Sequence, residues 1–114
     1  MSQELIRKQN QESLERLQTD YTDFYVLHRD DPSYPVEKVI DVLNELVEEG
    51  KVKRFGASNW SLERIQAANE YAKAHGLKGF SLVSPAYSLA ELVHDPWGGS
   101  VSLAGAKNQA AREW

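Results

Sequence analysis

Apolar positions fall into two rhythms along this chain. After Pro35, residues Val36, Val39, Ile40, Leu43, Leu46 and Val47 recur at i, i+3, i+4, i+7, i+10 and i+11. That spacing draws one stripe down a helix, with a proline suited to its first turn and Gly50 suited to ending it. A second amphipathic helix is predicted from Ser61, with Leu62, Ile65, Ala68 and Ala72 inward and an end at His75-Gly76. The opening stretch from Ser2 to Leu17 has neither Gly nor Pro and is rich in Glu, Gln, Lys and Arg, which favours helix.

The other rhythm is the short continuous run. Asp23-Phe24-Tyr25-Val26-Leu27-His28 is aromatic and β-branched and stops at Arg29-Asp30-Asp31-Pro32, so it is predicted to be a buried strand. Val52 to Ala57 and Phe80 to Val83 form two more strands, the last with an extension toward Tyr87 despite Pro85. Beyond Ala90 both rhythms fade. Asp95-Pro96-Trp97-Gly98-Gly99-Ser100 reads as a loop, and Ala106 to Trp114 as the start of a further helix.

The predicted order is α-β-α-β-α-β. Strands joined through helices run parallel, with right-handed crossovers, and three of them make an α/β layer without closing it. A complete (β/α)8 barrel takes about 250 residues; this chain has 114.

Composition narrows the partners. Hydrophobic residues at 41% and charged residues at 26% suit a folded domain. A net charge of -4 argues against nucleic acid or an anionic membrane, both of which select basic surfaces. The absence of cysteine removes disulfides, thiolate metal sites and a thiol nucleophile, and it fits a reducing cytoplasm. MSQELIRKQNQ has no apolar core of a signal peptide, and no apolar run reaches the ~18 residues of a membrane span. The expectation is a cytoplasmic protein. No two histidines share ligand spacing, so no metal site is expected.

Parallel α/β architectures carry their chemistry at the C-terminal ends of the strands. Three segments reach that edge: His28 with Arg29 and Asp30, then Ser58 with Asn59, then Ser84 with Tyr87. Each has a plainer reading. His28 on its own is an ordinary strand-end histidine. Ser58, Asn59 and Ser61 precede a helix, where such residues cap free N–H groups. Arg29, Asp30 and Asp31 read as a solvated turn, Glu45, Glu48 and Glu49 as a solvated helix face, His75 as a helix-end residue and His94 as solvated.

The run Arg16-Leu17-Gln18-Thr19-Asp20-Tyr21-Thr22-Asp23-Phe24-Tyr25-Val26-Leu27-His28-Arg29 resembles a helix, strand and catalytic-histidine segment of the aldo-keto reductase family. Pro35-Val36-Glu37-Lys38-Val39, Leu46-Val47-Glu48-Glu49-Gly50-Lys51-Val52 and Gly56-Ala57-Ser58-Asn59-Trp60 continue it in register. Ser84-Pro85-Ala86-Tyr87-Ser88-Leu89 and Trp97-Gly98-Gly99 look like the next strand and loop, so the likeness covers essentially the whole chain.

The resemblance implies that residues 1–114 form part of a (β/α)8 TIM barrel, with three parallel strands and the helices between them. It implies reduction of small aldehydes or ketones with NADPH, NADH being left open. His28 matches the histidine that orients the carbonyl, and Ser58 with Asn59 the pair that binds the nicotinamide carboxamide. Ser84 stands where many members place a glutamine for the same contact; a serine is shorter and offers only a hydroxyl. The family's tyrosine, lysine and aspartate lie upstream of the histidine, and no segment here matches them. The isolated chain is therefore expected to be inactive. The alternative is a non-catalytic α/β fragment or interaction module that self-associates through its exposed sheet edges.

Overall fold

The computed structural model describes residues 1–89, 91, 93–95 and 98–113. Helix α1 (Gln3–Leu17) begins where the Ser2 hydroxyl accepts from the Leu5 N–H at 3.1 Å. It buries Ile6, Asn10 and Leu14 and ends at Gln18, whose φ of 53° turns the chain so that the Thr19 N–H reaches the Leu14 carbonyl. Strand β1 (Thr22–Leu27) follows. Helix α2 (Val36–Glu48) inserts its stripe into the core, with Val39, Ile40, Val42 and Leu43 fully enclosed. It ends as the sequence predicts. Gly50 at φ 74° donates to the Val47 carbonyl, and Lys51 donates to the Leu46 carbonyl, each at 3.0 Å.

Strand β2 (Val52–Ser58) lies at the centre of a three-stranded parallel sheet ordered β1-β2-β3. Its register sets Tyr25 against Phe55, Val26 against Gly56 and Leu27 against Ala57. Helix α3 (Leu62–Ala74) is capped by Ser61, whose hydroxyl accepts from the Arg64 N–H, and buries Ile65, Ala68 and Ala72. Leu62, expected inward, is only half-buried. His75 ends the helix, its ring stacked 4.1 Å from that of Tyr71.

Strand β3 is Leu82–Ser84, shorter and later than Phe80 to Val83. Phe80 is buried because its ring packs edge-on against Phe55 and Trp60, while strand pairing with β2 begins only at Leu82. Gly56 makes that pairing possible: a Cβ there would stand 2.6 Å from the Leu82 backbone oxygen. The expected extension to Tyr87 is not part of the strand. Proline brings no N–H at 85, and Ala86 instead makes an isolated parallel bridge with Ser102.

The expectation of a buried first strand is overturned. Phe24 is 51% and Val26 38% exposed, whereas Leu27 is 6% exposed. The cause is coverage: β1 is an edge strand, and among the described residues the helices leave Phe24 and Val26 uncovered.

The tail carries a 3-10 turn (Ala106–Asn108) leading into a short helix α4 (Gln109–Glu113). Between this tail and α3 there remains a cavity of about 330 Å3, lined by Ile65, Val83, Val101, Leu103 and Ala111 among others. Pro96, Trp97 and Trp114, singled out in the sequence, lie outside the described residues. No described helix is long and apolar enough to cross a membrane.

Candidate functional site

The four residues singled out by sequence meet on one rim of the sheet. His28 directly follows β1, Ser58 closes β2, and Ser84 closes β3 in register with Ser58. Asn59 bends the chain away from β2 at φ 59°, a left-handed conformation that asparagine tolerates better than most residues.

Hydrogen bonds join these strand ends. The Ser58 hydroxyl donates to the Ser84 carbonyl at 2.8 Å. The Asn59 amide donates to the His28 carbonyl at 3.1 Å and to the Ser58 hydroxyl at 3.2 Å. Its oxygen accepts from the Val101 N–H at 3.2 Å, which ties the tail to the rim. Arg29 also reaches the tail, donating to the Gly98 carbonyl. His28 and Ser84 are exposed, and Ser58 and Asn59 half-buried.

Of the three capping candidates Ser61 caps α3, while Ser58 and Asn59 do not. Glu63 adds to it. Its own backbone N–H and the Ser61 hydroxyl hold its carboxyl below the usual value, so a carboxylate already sits at the start of α3.

The solvated-turn reading of Asp30 is also overturned. Its side chain is 8% exposed and forms a fork with Arg64, Nε to Oδ2 at 2.9 Å and a terminal nitrogen to Oδ1 at 2.8 Å. Sequence reasoning did not single out Arg64. Its place one residue before Ile65, on a helix otherwise patterned by its apolar stripe, gives no sign of a partner 34 positions away. The Glu45 and Glu49 carboxylates are less free than a solvated face implies, since Arg7 bonds both, the latter at 2.7 Å.

Chemically, the rim offers an exposed imidazole beside a hydroxyl and a carboxamide. The Asn59 oxygen and the Ser58 oxygen each keep a lone pair for an incoming N–H donor. Their N–H and O–H protons are engaged by the His28 and Ser84 carbonyls and the Ser58 hydroxyl. A ligand carbonyl must displace one of those contacts. Among the described residues no group of three His, Asp or Glu is placed to hold a metal ion.

The profile of the Aldo/keto reductase family matches residues 1–96. The chain is 39% identical over 79 residues to Aldo-keto reductase YhdN of Bacillus subtilis, covering 69% of this chain and 22% of that protein. It is 38% identical over 88 residues to Probable aldo-keto reductase 1 of Glycine max, covering 77% and 24%. Putative aryl-alcohol dehydrogenase AAD10 of Saccharomyces cerevisiae is 41% identical over 71 residues, covering 62% and 25%. The matched stretch is thus a quarter or less of each of these relatives.

Proposed function

The chain belongs to the aldo/keto reductase family, and from that premise we propose that residues 1–114 supply the central strand ends of a carbonyl reductase site. Such a site takes NADPH and reduces a small aldehyde or ketone to an alcohol in the cytoplasm. The observation that supports this most is the Asn59 amide, which joins the His28 carbonyl and the Ser58 hydroxyl on one rim.

When bound, the cofactor supplies hydride. Ser58 and Asn59 hold its carboxamide and so select the face of the ring presented to substrate. Ser84, its carbonyl tied to Ser58, completes that edge at shorter reach than a glutamine would. His28, exposed at the end of β1, donates to the substrate carbonyl and stabilises the charge that develops on its oxygen. The tyrosines nearest the core are committed elsewhere. Tyr25 donates to the Ile6 carbonyl, Tyr71 to Asp41, and the Tyr34 hydroxyl accepts from the Gln3 N–H.

Two measurements on the 114-residue chain test this reading. NADPH should shift the NMR signals of Ser58, Asn59 and His28 more than those of α1; no shift at the rim would sink it. With NADPH and a reactive aldehyde, the isolated chain should show no turnover above background. A rate abolished by His28→Ala would show instead that these residues suffice for catalysis.

A second reading, a non-catalytic fragment or module that self-associates, draws on the half-exposed Phe24 and Val26 beside the β1 edge. Sedimentation separates the two: a concentration-dependent dimer dispersed by Phe24→Lys, with no NADPH response, favours the module.

A further inference from the structure

Where β1 ends, the chain leaves the sheet, and a strand end without support frays. Here the following loop is held at several points. Asn59 holds the His28 carbonyl. Arg64 grips both oxygens of Asp30 and also donates to the carbonyls of Asp31, at 3.2 Å, and Tyr34, at 3.0 Å. The Asp30 carboxylate turns back to accept from the Asp31 N–H at 2.8 Å. The guanidinium carbon sits 5.2 Å from the centre of the Trp60 ring, itself 2% exposed and packed on Phe80.

A forked guanidinium–carboxylate pair fixes orientation as well as distance, which a lysine ammonium does not. With Asp30 enclosed, loss of Arg64 would leave a buried charge without its partner, so the loop would have to move to rehydrate it. Asn59 lies on the short turn from β2 into α3, and Arg64 follows in the first turn of α3. One segment therefore carries the carboxamide-facing pair and also grips the loop bearing His28.

We propose that Arg64, acting through Asp30, is the positioning residue that sets where His28 stands relative to Ser58 and Asn59. The proposal rests on the reductase reading for its purpose, but its geometric content can be tested without activity.

The experiment follows the His28 ring by NMR in the 114-residue chain, with His75 and His94 as internal references. Wild type, Arg64→Ala, Arg64→Lys and Asp30→Asn are compared, with urea unfolding of each to confirm that the spectra come from folded protein. Under folding conditions, Arg64→Ala should move the His28 ring signals while leaving His75 in place. Exchange of the Arg29 and Asp31 amides should rise roughly tenfold as local opening becomes easier. Arg64→Lys should recover only part of the shift. Should Arg64→Ala not fold, the isosteric Asp30→Asn reads the same displacement.

A lowered urea midpoint with His28 and its neighbours at their wild-type positions would overturn the proposal, because Arg64 would then only stabilise the fold. An NADPH titration separates this from the reductase reading. If NADPH leaves the wild-type rim untouched while Arg64→Ala still moves His28, the reductase reading fails and the positioning role survives. If NADPH perturbs His28 identically in wild type and Arg64→Ala, the positioning role fails and the reductase reading survives.

Discussion

The two faces of the sheet are built from the same strands and end in opposite states. On the face toward the helices, Leu27, Phe55 and Ala57 are at most 6% exposed. On the other, Phe24 and Val26 stand half in solvent, although Val26 directly precedes the buried Leu27. Parallel sheets are ordinarily covered on both sides, and their strands read as continuous apolar runs for that reason. The run from Phe24 to Leu27 is written for two-sided burial, while the described residues cover one side. Apolar composition therefore reports how a strand is meant to be used, and coverage decides how much of that burial is realised.

The largest expected effect tests this contrast directly. Phe55→Ala should cost about 3–5 kcal/mol of unfolding free energy, because it removes a ring enclosed by Phe80 and the core. Phe24→Ala on the open face should cost less than about 0.5 kcal/mol. Equal losses in urea melts would mean that something covers the open face in solution.

Two buried asparagines sharpen the comparison. Asn44 on α2 is fully used: its amide donates to the Ile40 and Lys78 carbonyls, and its oxygen accepts from the Lys78 N–H. Asn10 on α1 is completely enclosed, yet neither amide atom finds a hydrogen-bond partner among the described residues. Asn44→Ala should destabilise by about 1–3 kcal/mol, since it strands the Lys78 backbone groups. Asn10→Val should stabilise by about 1 kcal/mol, because it removes an unsatisfied amide. Thermal or urea midpoints that move in the same direction for both would refute this distinction.

The smallest effect is electrostatic and lies at the surface. Glu49 is held below its ordinary value first by Lys51 and then by Arg7, and Glu63 first by its own backbone N–H and then by Ser61. A depressed carboxylate adds stability above its unfolded value and loses it as pH falls through the folded one. The contribution should therefore be complete above their ordinary value of 4.5 and decline below it. Urea midpoints measured from pH 7 downward should fall in that range, with a shallower slope in Arg7→Gln. Strong screening at both exposed sites keeps the effect small. A steeper slope in Arg7→Gln would contradict the assignment.

Much of this was legible in the sequence because its cause is local. The stripe from Val36 to Val47 and the glycine after it specify α2 and its end through helical periodicity and the left-handed freedom of Gly50. Short aromatic and β-branched runs gave the strands, and their alternation with helices gave parallel direction. The rim position of His28, Ser58, Asn59 and Ser84 followed from topology, since parallel strands bring their C-terminal ends to one edge.

Long-range geometry decided the rest. The fork between Asp30 and Arg64 joins residues with no shared local pattern, so it emerged only when β1 and α3 came together. The same packing showed that Phe80 belongs to an aromatic cluster before β3 begins. Exposure of Phe24 followed a similar logic. Side-chain alternation along a strand is set by the backbone and can be read from sequence; whether a layer lies above that face depends on everything folded around it.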